Sequence, residues 1–205
     1  MANDSLQQLV LASASPVRRL LLENAGIGCA VVPSGIDEGA IREALAGGGA
    51  ELDPGDVAEV LARAKAEDVS TRNSGSVVVA ADQVLAMDGK IYEKPRSDDE
   101  ARSQLLELRG RTHTLYSAVV LASDGHVDWC HVGEAQVALR QFSATFLGRY
   151  LASVGPDVRL SVGCYQLEAR GVQLIETVAG DYFTVLGLPM LPLLEELRRR
   201  EVLAI

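Results

Sequence analysis

The segment Ser13-Ala14-Ser15-Pro16-Val17-Arg18-Arg19 brings hydroxyls, a helix start and two guanidinium groups together, which is the chemistry of a phosphate site. The preceding run Leu9-Val10-Leu11-Ala12 is short and apolar and reads as a strand that delivers the chain to this turn. Ser15 is the expected N-cap, and Pro16 suits the first helical position, where its missing amide would be unpaired anyway. A capped helix start offers free backbone amides and partial positive charge to an anion. Arg18 and Arg19 fall in the first turn, where a cation opposes the helix dipole by about 0.3–1 kcal/mol, so a bound negative group would offset their cost. An ordinary strand-to-helix turn with solvated arginines fits this one segment equally well.

Further charges fall at the boundaries of elements. Asp37 and Glu38 close the turn 33–38, either as solvated loop charges or with one of them helping to hold a metal ion. Lys65 follows Leu61 by four residues and Val57 by eight, so its stem lies along the buried stripe of a helix. Its ammonium either snorkels to bulk water or reaches into a phosphate cleft. Asp82-Gln83 arrives at the end of the β-branched run 76–81, and ligands of open α/β sheets gather at the carboxyl ends of strands. That places Asp82 for metal binding or for general-base work on water. Asp88-Gly89 is a strong hairpin signal, and the return Lys90-Ile91-Tyr92 brings Lys94 back toward Asp82 in an antiparallel pair.

The elements that position these residues follow from periodicity and punctuation. Strands are expected at 9–12, 27–32, 76–81 continuing to Met87, 90–92, 112–123, 126–140 and 172–178. The hairpin joining the two longest turns at Asp124-Gly125. Helices are expected from Pro16 to a stop at Gly26, from Asp56 with Glu59 as its capping-box partner, from Ser97 with Glu100 to Gly110, from Ser143 to Gly155, and over 190–200. The helix from Asp56 has Val57, Val60, Leu61 and Ala64 as its apolar face, and the last helix buries Met190, Leu193, Leu194 and Leu197. The Gly-rich stretch 44–55 reads as a flexible connection. Arg198-Arg199-Arg200 complement the dipole at the end of the last helix.

With 205 residues the chain has ample length for a core, and residues 1–205 are expected to form a single domain. A net charge of −9 opposes binding to nucleic acid, while a local basic pocket still suits a small anion such as a nucleotide. No apolar run is long enough to span a bilayer and no signal-peptide pattern opens the chain, so the expected compartment is the cytoplasm, without a membrane partner. Cys29, Cys130 and Cys164 show no paired spacing and read as buried reduced thiols; His113, His126 and His131 form no ligand motif. The Gly-rich phosphate loop, the Gly-x-Ser-x-Gly elbow and the dinucleotide fingerprint are all missing from the sequence.

Taken together, these motifs resemble those of the Maf, or septum-formation, family of nucleoside triphosphate pyrophosphatases, and the resemblance runs over nearly the whole chain. It rests on Leu-Ala-Ser-Ala-Ser-Pro-Val-Arg-Arg-Leu-Leu-Leu at 11–22, Gly-Ile-Asp-Glu at 35–38, Leu-Ala-Arg-Ala-Lys-Ala at 61–66, Ala-Ala-Asp-Gln-Val at 80–84 and Glu-Lys-Pro at 93–95. Gly-Arg-Thr-His at 110–113, Gly-Cys-Tyr-Gln-Leu-Glu at 163–168 and Gly-Asp-Tyr-Phe-Thr-Val-Leu-Gly-Leu-Pro at 180–189 complete it. The resemblance implies an α/β fold with an elongated mixed β-sheet flanked by helices and two lobes around a central cleft. It implies metal-assisted hydrolysis, with Mg²⁺ or Mn²⁺, of a nucleoside triphosphate to monophosphate and pyrophosphate. Asp82 matches the family's proton acceptor, Ser13 and Arg18 its N-terminal phosphate contacts, and Glu38, Lys65 and Lys94 its other polar cleft positions. Ser15 joins the phosphate ligands, and Glu38 with Asp82 forms the expected metal pair. Val17 stands between Pro16 and Arg18 where many members have Pro-Arg-Arg. Ala-Asp-Gln and Gln-Leu-Glu depart from the patterns of the thymidine- and uridine-nucleotide branch and are closer to the 7-methyl-GTP branch, which makes Gln83, Gln166 and Glu168 the base-selection candidates. A nucleotide-binding regulator of cell division without turnover is the alternative, and homodimer formation is open.

Overall fold

One long strand organises the molecule, and the gap along one of its edges makes the cleft. The computed structural model describes residues 8–47 and 53–203. Strand β3 (Val77–Met87) pairs antiparallel with β5 (Thr112–Ser123) from Val78 to Ala86. Its other edge has two short partners. Parallel β1 (Leu9–Leu11) covers Val77 to Val79, and antiparallel β4 (Lys90–Tyr92) covers Leu85 to Met87. Among the described residues no strand covers this edge from Ala80 to Val84. Outward from these lie β2 (Ala30–Val31) on β1, and β6 (His126–Leu139) then β7 (Ile175–Gly180) on β5, giving a mixed seven-stranded sheet. At the β3–β4 hairpin, Asp88 and Gly89 have φ of 51° and 76°. Two left-handed central residues give the turn whose twist matches that of paired strands.

Alternation along β3 sorts its side chains between two helical layers. Even-numbered Val78 and Ala80 pack with Val10 and Val120 against α3 (Pro54–Arg72), where Ala58, Ala62 and Ala66 allow close approach. The opposite face is covered twice. Near β1, Leu11, Val79 and Leu121 pack with Leu22 of α1 (Pro16–Asn24) and with Leu193 and Leu197 of α7 (Met190–Arg199). Near β4, Leu85 and Leu115 pack with Leu105 of α4 (Asp98–Leu108) and Leu147 of α5 (Ala144–Val154). Gln83 and Ser117 are register partners and stand between these two cores. The expected two-lobed α/β architecture is present, its lobes sharing β3 and β5.

Helix starts follow the sequence closely because a local oxygen satisfies the first amides. Arg18 N–H donates to Ser15 Oγ at 3.4 Å, Phe146 N–H to Ser143 Oγ at 3.1 Å, and Glu100 N–H to Ser97 Oγ at 3.1 Å. The Glu100 carboxylate reaches back one residue beyond the N-cap and accepts from Arg96 N–H at 2.7 Å, a variant of the capping box in which the reciprocal bond falls on the preceding amide. Each such cap contributes about 0.5–2 kcal/mol.

Several expectations are corrected. Residues 38–46 form a helix, α2 (Glu38–Ala46), capped by Asp37, instead of continuing the turn into a flexible connection; residues 48–52 of that stretch lie outside the described residues. Helix α3 begins at Pro54, because Asp53 accepts from the amides of Gly55 and Asp56. Its buried face is Val57, Ala58, Leu61, Ala62, Lys65, Ala66 and Val69, with Val60 exposed and Ala64 half-buried, since small residues meet the sheet most closely. Asp82 is inside β3 and not at its end; the strand that ends here is the partner, β1. Strand β2 is reduced to two residues at the sheet edge, and 170–174 form a 3-10 turn before β7 begins at Ile175. Cys29 and Cys130 are half-buried, and only Cys164 is fully buried.

Candidate active site

All ten expected site positions line one cleft of about 850 Å³, which opens at the uncovered edge of β3. A cavity of this size suits a small organic ligand. Ser13 and Ser15 sit at the start of α1, Arg18 one turn on, Glu38 at the start of α2, Lys65 in α3, Asp82 and Gln83 in β3, Lys94 after β4, and Gln166 and Glu168 in the loop after α5.

Asp82 is the centre of the charged group and only 5% exposed. Its even-numbered position turns it toward α3, where Lys65 Nζ lies 2.5 Å from Oδ1. The same ammonium is 2.8 Å from Glu38 Oε1, so one buried lysine joins two carboxylates. The snorkelling alternative is thereby excluded. Asp82 Oδ2 is buried and has no hydrogen-bond partner among the described residues. Arg42 Nη2 lies 3.5 Å from it. Burial alone would raise the Glu38 carboxyl, but the hydrogen bond and charge of Lys65, with the charges of Arg42 and Lys94, hold it below its ordinary value.

The two arginines of α1 separate cleanly. Arg18 turns inward, its Nε donating to Gly187 O at 2.8 Å and its Nη1 to Ala81 O at 2.7 Å and Ser13 Oγ at 3.3 Å. Ala81 belongs to the part of β3 whose edge carries no strand, so a side chain supplies the bond that a neighbouring strand would give. Burial lowers the Arg18 pKa from its ordinary value, opposed by the negative charges of Asp82 and Glu38. Arg19 points outward to Glu23, with both side chains exposed. Lys94 faces the same cluster: burial and the positive charges of Arg18 and Lys65 lower its pKa, against Asp82 and Glu38. The convergence of Lys94 with Asp82 follows from the hairpin register, Leu85 opposite Tyr92.

Gln83 is fixed by the protein. Its amide nitrogen donates to Ser117 Oγ at 3.0 Å and to the carbonyls of Thr184 and Val185 at 3.1 and 3.0 Å, tying β3 to α6 (Tyr182–Val185). Gln166 and Glu168 belong to a loop secured from beneath. Tyr150 O–H donates to Cys164 O at 3.0 Å, Ser161 O–H to Tyr165 O at 2.7 Å, and Gln104 Nε2 to Val162 O. His113, 1% exposed, meets Tyr165 Oη through Nε2 at 2.6 Å. Burial pushes its pKa down to about 4, so the ring is neutral at pH 7, and the His of the 110–113 motif acts here as a support. Gly171 passes so close to the Gln166 backbone that a Cβ would overlap it.

Sequence reasoning missed Arg42. The signal was present: Asp37 as a cap, with Ile41 and Leu45 four residues apart, places Arg42 one turn after Glu38. No group of three or more His, Cys, Asp or Glu residues forms a metal cage among the described residues.

Residues 8–200 match the family described as Maf-like protein. The chain belongs to the Maf family. Curated relatives within it include a 7-methyl-GTP pyrophosphatase of Brucella abortus, 50% identical over 194 residues, covering 95% of this chain and 96% of the relative. A 7-methyl-GTP pyrophosphatase of Mesorhizobium japonicum is 48% identical, covering 94% and 96%. A nucleoside triphosphate pyrophosphatase of Caulobacter vibrioides is 45% identical, covering 98% and 100%. The Maf motifs read from the sequence therefore include the segments that surround the cleft.

Proposed function

We propose that this Maf protein hydrolyses the α–β phosphoanhydride of nucleoside triphosphates, releasing a monophosphate and pyrophosphate, with 7-methyl-GTP or a related modified nucleotide as the favoured substrate class. The observation that carries the reading is the meeting of Asp82 with cations from three helices and from the segment after β4 in a cleft of nucleotide size. The names of the relatives agree with it and supply the 7-methyl-GTP preference.

Asp82 orients an attacking water and accepts its proton, with Oδ2 the oxygen not engaged by Lys65. Lys65 keeps the Asp82 and Glu38 carboxylates together despite their like charge. Arg18, Lys94 and Lys65 stabilise charge on the phosphate oxygens, while the hydroxyls of Ser13 and Ser15 position the chain at the start of α1. The carboxylates of Glu38 and Asp82 are hard oxygen donors that would suit Mg²⁺ or Mn²⁺, and the bound ion would neutralise phosphate charge. Gln166 and Glu168 read the base, and Gln83 sets the shape of the pocket between the lobes. No helix among the described residues is long and apolar enough to cross a membrane, and the cytoplasm is the proposed setting.

The test is a panel of 7-methyl-GTP, GTP, dTTP and UTP with Mg²⁺ or Mn²⁺, in which products are identified as well as counted. Monophosphate plus pyrophosphate, with 7-methyl-GTP turned over faster than dTTP or UTP, is expected. Tight binding without product would favour the regulator, and orthophosphate would indicate a general phosphatase.

A further inference from the structure

The cations around Asp82 differ in how far the protein has already used them. Lys65 already bonds two carboxylates, at 2.5 and 2.8 Å, and acts on phosphate from that fixed position. Arg18 is largely spent on two backbone carbonyls and the Ser13 hydroxyl. Arg42 is in a different state. Its guanidinium stands 3.5 Å from Asp82 Oδ2, beyond the roughly 2.7–2.9 Å of a charge-assisted hydrogen bond. Oδ2 itself has no hydrogen bond among the described residues although it is buried. The Arg42 side chain is 20% exposed and lines the cleft. A planar guanidinium with no hydrogen bond among the described residues, beside a buried oxygen likewise without one, is poised to change partners, and its fork matches two phosphate oxygens at once.

The carrier suits such an exchange. Helix α2 has no fully buried residue and meets the core only through half-buried Ile41 and Leu45, in contrast to α3, where Lys65 is 7% exposed and held among core alanines. Glu38 stands at the first position of the same helix, so a small displacement of α2 moves Glu38 and Arg42 together. Arg42 also lies outside the segments 35–38 and 61–66 through which the chain resembles its family.

We propose that Arg42 is a fourth phosphate-binding cation of the cleft, held near Asp82 Oδ2 and transferred to the phosphate chain of an entering nucleotide, which leaves Oδ2 to its water. This rests on the pyrophosphatase reading above. The transfer couples arrival of the triphosphate to exposure of the proton acceptor, so a ligand without a phosphate chain does not draw Arg42 away.

Calorimetric titration with the α,β-methylene analogue of GTP, which cannot be cleaved at the α–β bond, tests this in the native protein and in Arg42→Gln, Arg42→Lys and Glu43→Gln. Glu43 is the exposed neighbour on α2 and serves as the control for effects on the helix itself. Arg42→Gln is expected to weaken binding about 10- to 100-fold, the value of one lost charge-assisted hydrogen bond. Arg42→Lys is expected to recover part of that loss, and Glu43→Gln to bind as the native protein does. Native affinity in Arg42→Gln, with or without a fall in kcat, would overturn the proposal while leaving the pyrophosphatase reading intact. Equal weakening in Glu43→Gln would also overturn it, by showing that the helix and not the guanidinium matters. A native protein that neither binds the analogue nor releases pyrophosphate from any triphosphate would overturn both.

Discussion

On one side of the cleft, charged side chains from five segments of the chain converge; on the other, a loop is held from beneath by buried groups that carry no charge at pH 7. Asp82, Lys65, Glu38, Arg18 and Lys94 form the first side, and the segment 161–168 with its supports Tyr150, Tyr165, Gln104 and His113 forms the second. The first can set the charge a ligand must carry, because removing any member changes the field felt by all the others. The second sets shape, because its supports bond backbone carbonyls and buried rings and leave the charge of the pocket unchanged. Reaction and base choice are therefore open to separate perturbation.

The largest effect is expected on the charged side. Lys65→Gln leaves Asp82 and Glu38 buried or half-buried without their shared cation, and breaking such a pair costs about 3–5 kcal/mol. Urea denaturation should show that loss, accompanied by loss of turnover on every nucleotide alike. A variant as stable as the native protein would mean that the two carboxylates do not depend on Lys65. On the loop side, Gly171→Ala forces the Gln166 backbone to move. The ratio of kcat/KM between 7-methyl-GTP and dTTP should change by about tenfold, the scale of one altered pocket contact. An unchanged ratio would remove Gln166 and its neighbours from base selection.

A smaller, pH-dependent effect should sharpen the comparison. His113 has its pKa lowered by burial to about 4 from 6.5, so the unfolded chain binds its proton first on acidification. Its contribution is fully present above pH 6.5, declines as pH falls toward 4, and by then has lost about 3 kcal/mol. Denaturation at pH 7 and 4.5, compared between the native protein and His113→Gln, isolates this term. Parallel pH dependence in the two proteins would exclude it.

The same division explains what could be read from the sequence. Ser15 before Pro16, Ser97 with Glu100 and Asp88-Gly89 act on their own neighbours, and each formed where expected. The helical period placed Lys65 on the buried stripe, and hairpin register brought Lys94 to Asp82. What escaped depends on distant partners. A buried carboxylate in mid-strand reads as a strand end unless the lysine that accompanies it, seventeen residues earlier, is known to cover it. Helix α2 is short and lies between the turn residues Pro33 and Gly35 and the Gly-rich stretch, so its one apolar pair, Ile41 and Leu45, was overshadowed by the turn signals on either side, and Arg42 with it. The supports of the 161–168 loop lie as far as fifty-eight residues away, and no local spacing announces them.

The most direct measurement of the central claim is pyrophosphate release by Asp82→Asn beside the native protein, with melting temperature and affinity for the α,β-methylene analogue recorded for both. If Asp82 accepts the proton of the attacking water, kcat falls about 10²- to 10⁴-fold while fold and analogue binding persist. Full metal-dependent turnover in a folded Asp82→Asn protein would contradict the account.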